Sequence, residues 1–169
     1  MEIREATPGD AEIIQEVHVA SITELGPEAY SESQVEAWAM GCKSADYAGA
    51  IESDDAYFVV AEDREGVRGF GSLSLDPSEG YEASVDAEVT GVYVDPSVAR
   101  RGVGSAILAD LERHAREHGV RTLGLSASLN ALPFYEAHGY ERVREYRHEF
   151  SAHESTAVEG TVVEMTMQL

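Results

Sequence analysis

The sequence predicts a single α/β domain of about seven strands and about four helices. Three observations carry this. At 169 residues with 43% hydrophobic content the chain suits one domain with a full core. Short apolar, β-branched runs alternate with helix-spaced apolar patterns along its whole length. At Val92–Leu108 an apolar run, a basic glycine turn and a helix start follow one another directly.

Taken in order, Glu2–Glu5 reads as a first strand. Thr7-Pro8-Gly9-Asp10 opens a helix with a threonine cap, proline at the first helical position and an acid three residues after the cap. Ile13, Ile14, Val17 and Ile22 continue that helix until Gly26-Pro27 stops it. Ser31 and Gln34 open a second helix carrying Val35, Trp38 and Ala39 and ending at Gly41. Tyr57–Glu62 and Arg68–Leu75 are strands joined by a turn at Asp63–Gly66, and Asp76–Ser84 is a turn-rich loop. Ala87–Val94 is the fourth strand. The helix after it runs to His118, where Gly119 ends it. Thr122–Ala127 is a fifth strand, and Asn130–His138 a short helix with Pro133 in its first turn. Glu141–Phe150 and Thr161–Leu169 form a final hairpin across the polar loop Ser151–Gly160. No repeat and no long linker divides the chain.

The stretch Val92–Leu108 carries the chemistry. Asp95-Pro96 ends the strand, Arg100-Arg101-Gly102-Val103-Gly104-Ser105 turns, and Ile107, Leu108, Leu111 and Ala115 share one helix face. Free N–H groups at a helix start, the positive end of its dipole, glycine for close approach and two arginines together suit a pyrophosphate. The P-loop pattern is absent, since Lys43 is the only lysine, and Ile107 stands where a dinucleotide-binding loop needs its third glycine. Read alone, the segment is more simply a tight turn with solvated arginines.

Ala99-Arg100-Arg101-Gly102-Val103-Gly104 resembles the acetyl-CoA-binding motif of the GCN5-related N-acetyltransferase (GNAT) superfamily, Gln/Arg-x-x-Gly-x-Gly/Ala. It departs from that motif at Ala99. Ser128–Tyr140 resembles the family's late motif, a short helix carrying Phe134-Tyr135 and ending in Gly139-Tyr140. The element order matches as well. The resemblance implies the family fold, a mixed and mostly antiparallel twisted sheet of about seven strands flanked by about four helices, and acetyl transfer from acetyl-CoA to a primary amine of a small molecule or protein. It implies that Tyr135 protonates the leaving thiolate and that Glu88, fourteen residues before Gly102, takes the amine proton. A water relay is the alternative to Glu88, and a packed tyrosine bonded to the backbone is the alternative reading of Tyr135. An alternating strand puts Glu88, Thr90, Val92 and Val94 on one face.

The resemblance further assigns the donor site to Val92, Tyr93, Val94, Arg100, Arg101, Gly102, Val103, Gly104 and Ser105. Ser128 stands where many relatives place a CoA-contacting Asn, and Asn130 is offset from it by two. Thr122-Leu123-Gly124-Leu125 lacks the charges of relatives that acetylate protein N-termini. Tyr30, Ser31, Gln34 and Trp38 resemble a pattern in uncharacterised bacterial relatives, with Trp38 either a wall of the acceptor pocket or core. A catalytically silent acyl-CoA sensor is the rival function, and Ala99 is what favours it.

Charge narrows the partners. There are 32 acidic against 12 basic residues, a net −20, which argues against nucleic acid. An acidic, lysine-poor surface is expected of a cytoplasmic protein from a salt-loving source. No apolar run approaches the ~20 residues of a membrane span. Cys42 reads as a small apolar residue, and no His or Cys spacing suggests a metal. The family resemblance allows a homodimer.

Overall fold

The computed structural model describes residues 1–150 and 158–169; residues 151–157 of the loop expected in the last hairpin lie outside them. Seven strands, β1 (Glu2–Glu5), β2 (Ala56–Asp63), β3 (Gly66–Ser74), β4 (Ala87–Val94), β5 (Thr122–Ser128), β6 (Glu141–Glu149) and β7 (Glu159–Gln168), form one sheet. Their order is β1-β2-β3-β4-β5-β7-β6. All pairings are antiparallel except β4 with β5, which is parallel and touches only at Ala87↔Leu123 and Glu88↔Gly124. Beyond Glu88 the two strands part and leave a gap in the middle of the sheet.

Five helices cover it: α1 (Ala11–Leu25), α2 (Glu32–Ser44), α3 (Tyr47–Glu52), α4 (Val103–Glu117) and α5 (Leu132–Ala137). The start of α1 is fixed through a 3-10 turn at Pro8–Asp10. There the Thr7 N–H donates to Asp10 at 2.8 Å and both Arg4 nitrogens reach the same carboxylate at 2.9 Å. The Arg4 guanidinium holds the Asp10 carboxyl down to about 2. At α2, Gln34 N–H donates to Ser31 Oγ and Ser31 N–H to Gln34 Oε1, a reciprocal cap.

Two expectations need correction here. The helix α2 runs past Gly41 to Ser44, because Gly41 is a buried packing residue and not a left-handed end cap. The helix α3, capped by Asp46 on the Gly49 N–H, was not anticipated, and raises the helix count from about four to five. Six residues are too few to show a helical period.

On one face, α4 buries Ile107, Leu108, Leu111 and Ala115 completely against the sheet. It lies close because β3 presents glycine there: a Cβ on Gly71 would stand 2.4 Å from Ile107 Cγ2. The opposite face carries Ile14 and Val17 of α1 against Val60 and Phe70, and a second cluster of Tyr30, Val35, Cys42 and Val162.

The expected sharing of one face by Glu88, Thr90, Val92 and Val94 is overturned. Gly71 pairs with Val92, Ser72 with Gly91 and Leu73 with Val89, so Thr90 is an extra, bulged residue. The bulge inverts the alternation. Ala87 and Val89 before it, and Val92 and Val94 after it, join the core under α4. Glu88 falls on the other face with Tyr93.

Candidate active site

The gap between β4 and β5 opens two cavities that share walls. The first, about 430 Å³, lies at the start of α4. Its lining includes Val92, Val94, Arg100, Gly102, Gly104, Ser105 and Asn130. Gly102 caps α4 at φ 86, the left-handed region where glycine is favoured, and a Cβ there would point into open space. Arg100, also left-handed at φ 63, and Arg101 make no ion pair among the described residues. The cradle therefore offers N–H groups, a helix dipole and two unengaged guanidiniums to an anion. Only Arg100 of the two borders the cavity.

Not every expected donor residue contributes a side chain. Val103 is buried in the core under α4, so only its backbone is available. Ser105 Oγ bonds His138 Nε2 at 2.9 Å. The Ser128 hydroxyl accepts the Ala131 N–H at 3.2 Å and shapes the turn before α5. Asn130 Nδ2 donates to Leu25 O at 2.8 Å, tying that turn to the end of α1, while its Oδ1 is buried in the cavity wall without a partner among the described residues. Asn130 thus spends its donor on the fold and keeps its acceptor free.

The second cavity, about 480 Å³, lies on the sheet face away from α4. Glu88 and Tyr135 both line it, beside Trp38, Tyr81, Tyr146 and Glu164. Tyr135 packs in the core, and its hydroxyl makes no hydrogen bond among the described residues. Burial pushes its phenol up, so it carries its proton at neutral pH. Glu88 Oε1 accepts the Ser78 N–H at 3.0 Å and hydroxyl at 2.7 Å. The Tyr93 ring leaves the gap and stacks among His18 and Phe70, 4.0 Å and 5.5 Å between centroids. Trp38 does both things open to it: it stacks on Phe150 at 5.5 Å and borders both cavities.

The backbone of β4 completes the junction. The Asp95 N–H donates to Arg68 O on β3, so the two-residue alternation turns the Val92 and Val94 N–H groups toward the gap.

Several lining groups escaped the sequence. Glu164 is 1% exposed, and accepts the Glu82 and Ala83 N–H groups at 2.9 and 3.0 Å and Arg144 Nε at 3.0 Å. Burial pushes its carboxyl up, but those donors outweigh it and hold it below the usual range. Arg144 also reaches Gly80 O at 2.7 Å. Together they strap the Ser78–Ala83 segment over the cavity. A lone acid between Val163 and Met165 was the available signal for Glu164; Tyr81 and Tyr146 had none.

The Acetyltransferase (GNAT) domain family matches residues 27–158. The chain belongs to the GNAT acetyltransferases. It is 26% identical over 147 residues to the uncharacterized N-acetyltransferase YafP of Escherichia coli K12, covering 87% of this chain and 85% of that one. A GCN5-related N-acetyltransferase structure from Rhodopseudomonas palustris superposes with a TM-score of 0.82 at 26% identity, over 99% of this chain and 95% of that one. PaiA N-acetyltransferase from Thermoplasma acidophilum, solved in complex with coenzyme A, shares the fold with a TM-score of 0.75 at 20% identity, over 99% and 98% of the two chains. Among the described residues this GNAT chain has no cluster of His, Cys, Asp and Glu able to hold a metal, and no helix long and apolar enough to cross a membrane.

Proposed function

We propose that this acetyltransferase moves an acetyl group from acetyl-CoA to a primary amine by direct attack, with the donor in the cavity at α4 and the amine in the cavity beside Glu88. The supporting observation is that the two cavities meet at Val92, Tyr93, Ser128, Ala131 and Trp38, in the gap of the sheet. A donor and an acceptor brought to that junction need no carrier between them.

The residues at hand fit the donor. Gly102 and Gly104 admit a pyrophosphate to the α4 N-terminus, Arg100 and Arg101 balance its charge where Ala99 offers nothing, and Asn130 Oδ1 accepts from an amide of the pantetheine arm. Bound acetyl-CoA supplies a thioester, electrophilic at carbon and leaving through sulfur. The Val92 and Val94 N–H groups receive the carbonyl oxygen as charge builds on it. Glu88 takes a proton from the ammonium, the freed amine forms the N–C bond, the C–S bond breaks, and Tyr135 gives its proton to the sulfur. The acylated nitrogen gives up its second proton to solvent, solvent reprotonates the Tyr135 phenol, and Glu88 returns its proton to solvent, so one proton is released per turnover.

Two measurements test this. Acetyl-CoA should raise the melting temperature of the wild type by mass action, and Gly102→Val should lose that shift. A screen of amines for thiol release from acetyl-CoA should find turnover. Tight donor binding with no amine turned over would leave an acyl-CoA sensor as the better reading.

A further inference from the structure

The acceptor cavity has a one-sided charge inventory. Among the described residues its wall holds the carboxylates Glu88 and Glu164, no lysine or arginine, and one histidine, His148. Glu164 is already saturated by two backbone N–H groups and Arg144. Arg144, just outside, is committed to Glu164 and Gly80 O. Glu88 is different: both Ser78 bonds fall on Oε1, and Oε2 makes no hydrogen bond among the described residues. Much of the remaining wall is aromatic, including Trp38, Tyr81 and Tyr146. The Tyr81 hydroxyl is buried in that wall close to Glu88, and burial first and the Glu88 charge second push its phenol up. Gly124 keeps it there, since a Cβ on that strand residue would meet Tyr81 Cε1 at 3.1 Å.

We infer that the acceptor is a compact primary amine on an uncharged alkyl or aryl body, and that the site rejects the same amine when it carries a carboxylate or phosphate. The inference rests on the acetyl-transfer reading above and narrows its substrate class. An arriving ammonium meets an open carboxylate oxygen and electron-rich ring faces. A second, anionic group on the same molecule would be buried beside Glu88 with no unspent cation to meet it. The Tyr81 hydroxyl supplies a hydrogen bond to a polar substituent of the body. The cavity volume, about 480 Å³, fits a small molecule.

The test uses acceptor pairs that differ only in the anion: phenethylamine against phenylalanine, and glucosamine against glucosamine 6-phosphate. Steady-state thiol release should favour the member without the anion by about tenfold or more in kcat/KM in each pair, as like charges within a few ångströms at intermediate dielectric require. Calorimetry on the CoA-loaded protein should show the same order for binding alone. Thr90→Arg, which sets a cation on the exposed bulge residue of this wall, should shrink the preference by roughly tenfold. Equal use of both members, or preference for the anionic one, overturns the inference while leaving acetyl transfer standing. If no amine is turned over and none binds, both fall.

Discussion

At the scale of single residues, Tyr135 and Glu88 face one cavity although they come from α5 and β4. Tyr135→Phe keeps the ring and removes only the hydroxyl. It should lower kcat by roughly 10²–10⁴ with acetyl-CoA affinity near wild type. Unchanged kcat would remove the phenol from the mechanism. Glu88→Gln should lower the rate most at low pH, where more of the amine arrives protonated. A different residue governs stability in acid. His18 is held between Tyr47, whose hydroxyl lies 2.8 Å from Nδ1, and the Cys42 sulfur, 3.5 Å from Nε2. Burial lowers its pKa from 6.5 to about 4, and raises the Cys42 thiol to about 11. The unfolded chain therefore binds a proton at this site that the folded chain refuses between those two values. The stabilisation is complete above about 6.5 and is lost as pH falls toward about 4, about 3 kcal/mol in all. Urea unfolding of wild type and His18→Gln across that window should show a steeper loss in the wild type; parallel curves would place the acid sensitivity elsewhere.

At the scale of elements, the site depends on two local departures from regularity. The Thr90 bulge turns the Glu88 side chain away from those of Val92 and Val94 and onto the face that holds the second cavity. The Ser78–Ala83 strap depends on the buried Glu164. Glu164→Ala leaves two N–H groups and Arg144 without their partner and should cost roughly 3–5 kcal/mol. Faster amide exchange at Glu82 and Ala83 would accompany the lower melting temperature if the strap opens. Packing of α4 on β3 is equally local. Gly71→Ala forces a Cβ to within 2.4 Å of Ile107, and overpacking of this kind costs about 1–3 kcal/mol.

At the scale of the molecule, the net charge of −20 acts on the whole fold. The arginines are already counted in it, and most of their partners are surface carboxylates such as Glu65, Glu117 and Glu136, pairs that contribute little each. Self-repulsion should then weaken the protein in dilute buffer. In molar KCl the screening length shrinks to about 3 Å, and the urea midpoint should rise. A flat or falling midpoint would show the acidity to be balanced within the fold, and would turn attention to a cationic partner.

The sequence by itself determined what is written in neighbouring residues. Strand β4, the arginine-glycine turn and the amphipathic α4 were legible because turn chemistry and periodicity are local. The same holds for the caps at Thr7 and Ser31. The turn at Gly102 and Gly104 was legible for that reason, and the short helix that carries Tyr135 through its motif. Tertiary structure decided everything that depends on registry between distant segments. The bulge exists only in the pairing of β4 with β3, so no alternation rule could place Glu88 on its true face. Asn130 finds Leu25, and Glu164 finds Glu82, Ala83 and Arg144, across tens of residues of chain. The gap that joins the two cavities arises because β5 leaves β4 after two residue pairs and takes β7 as its partner, a choice made by packing of the whole sheet.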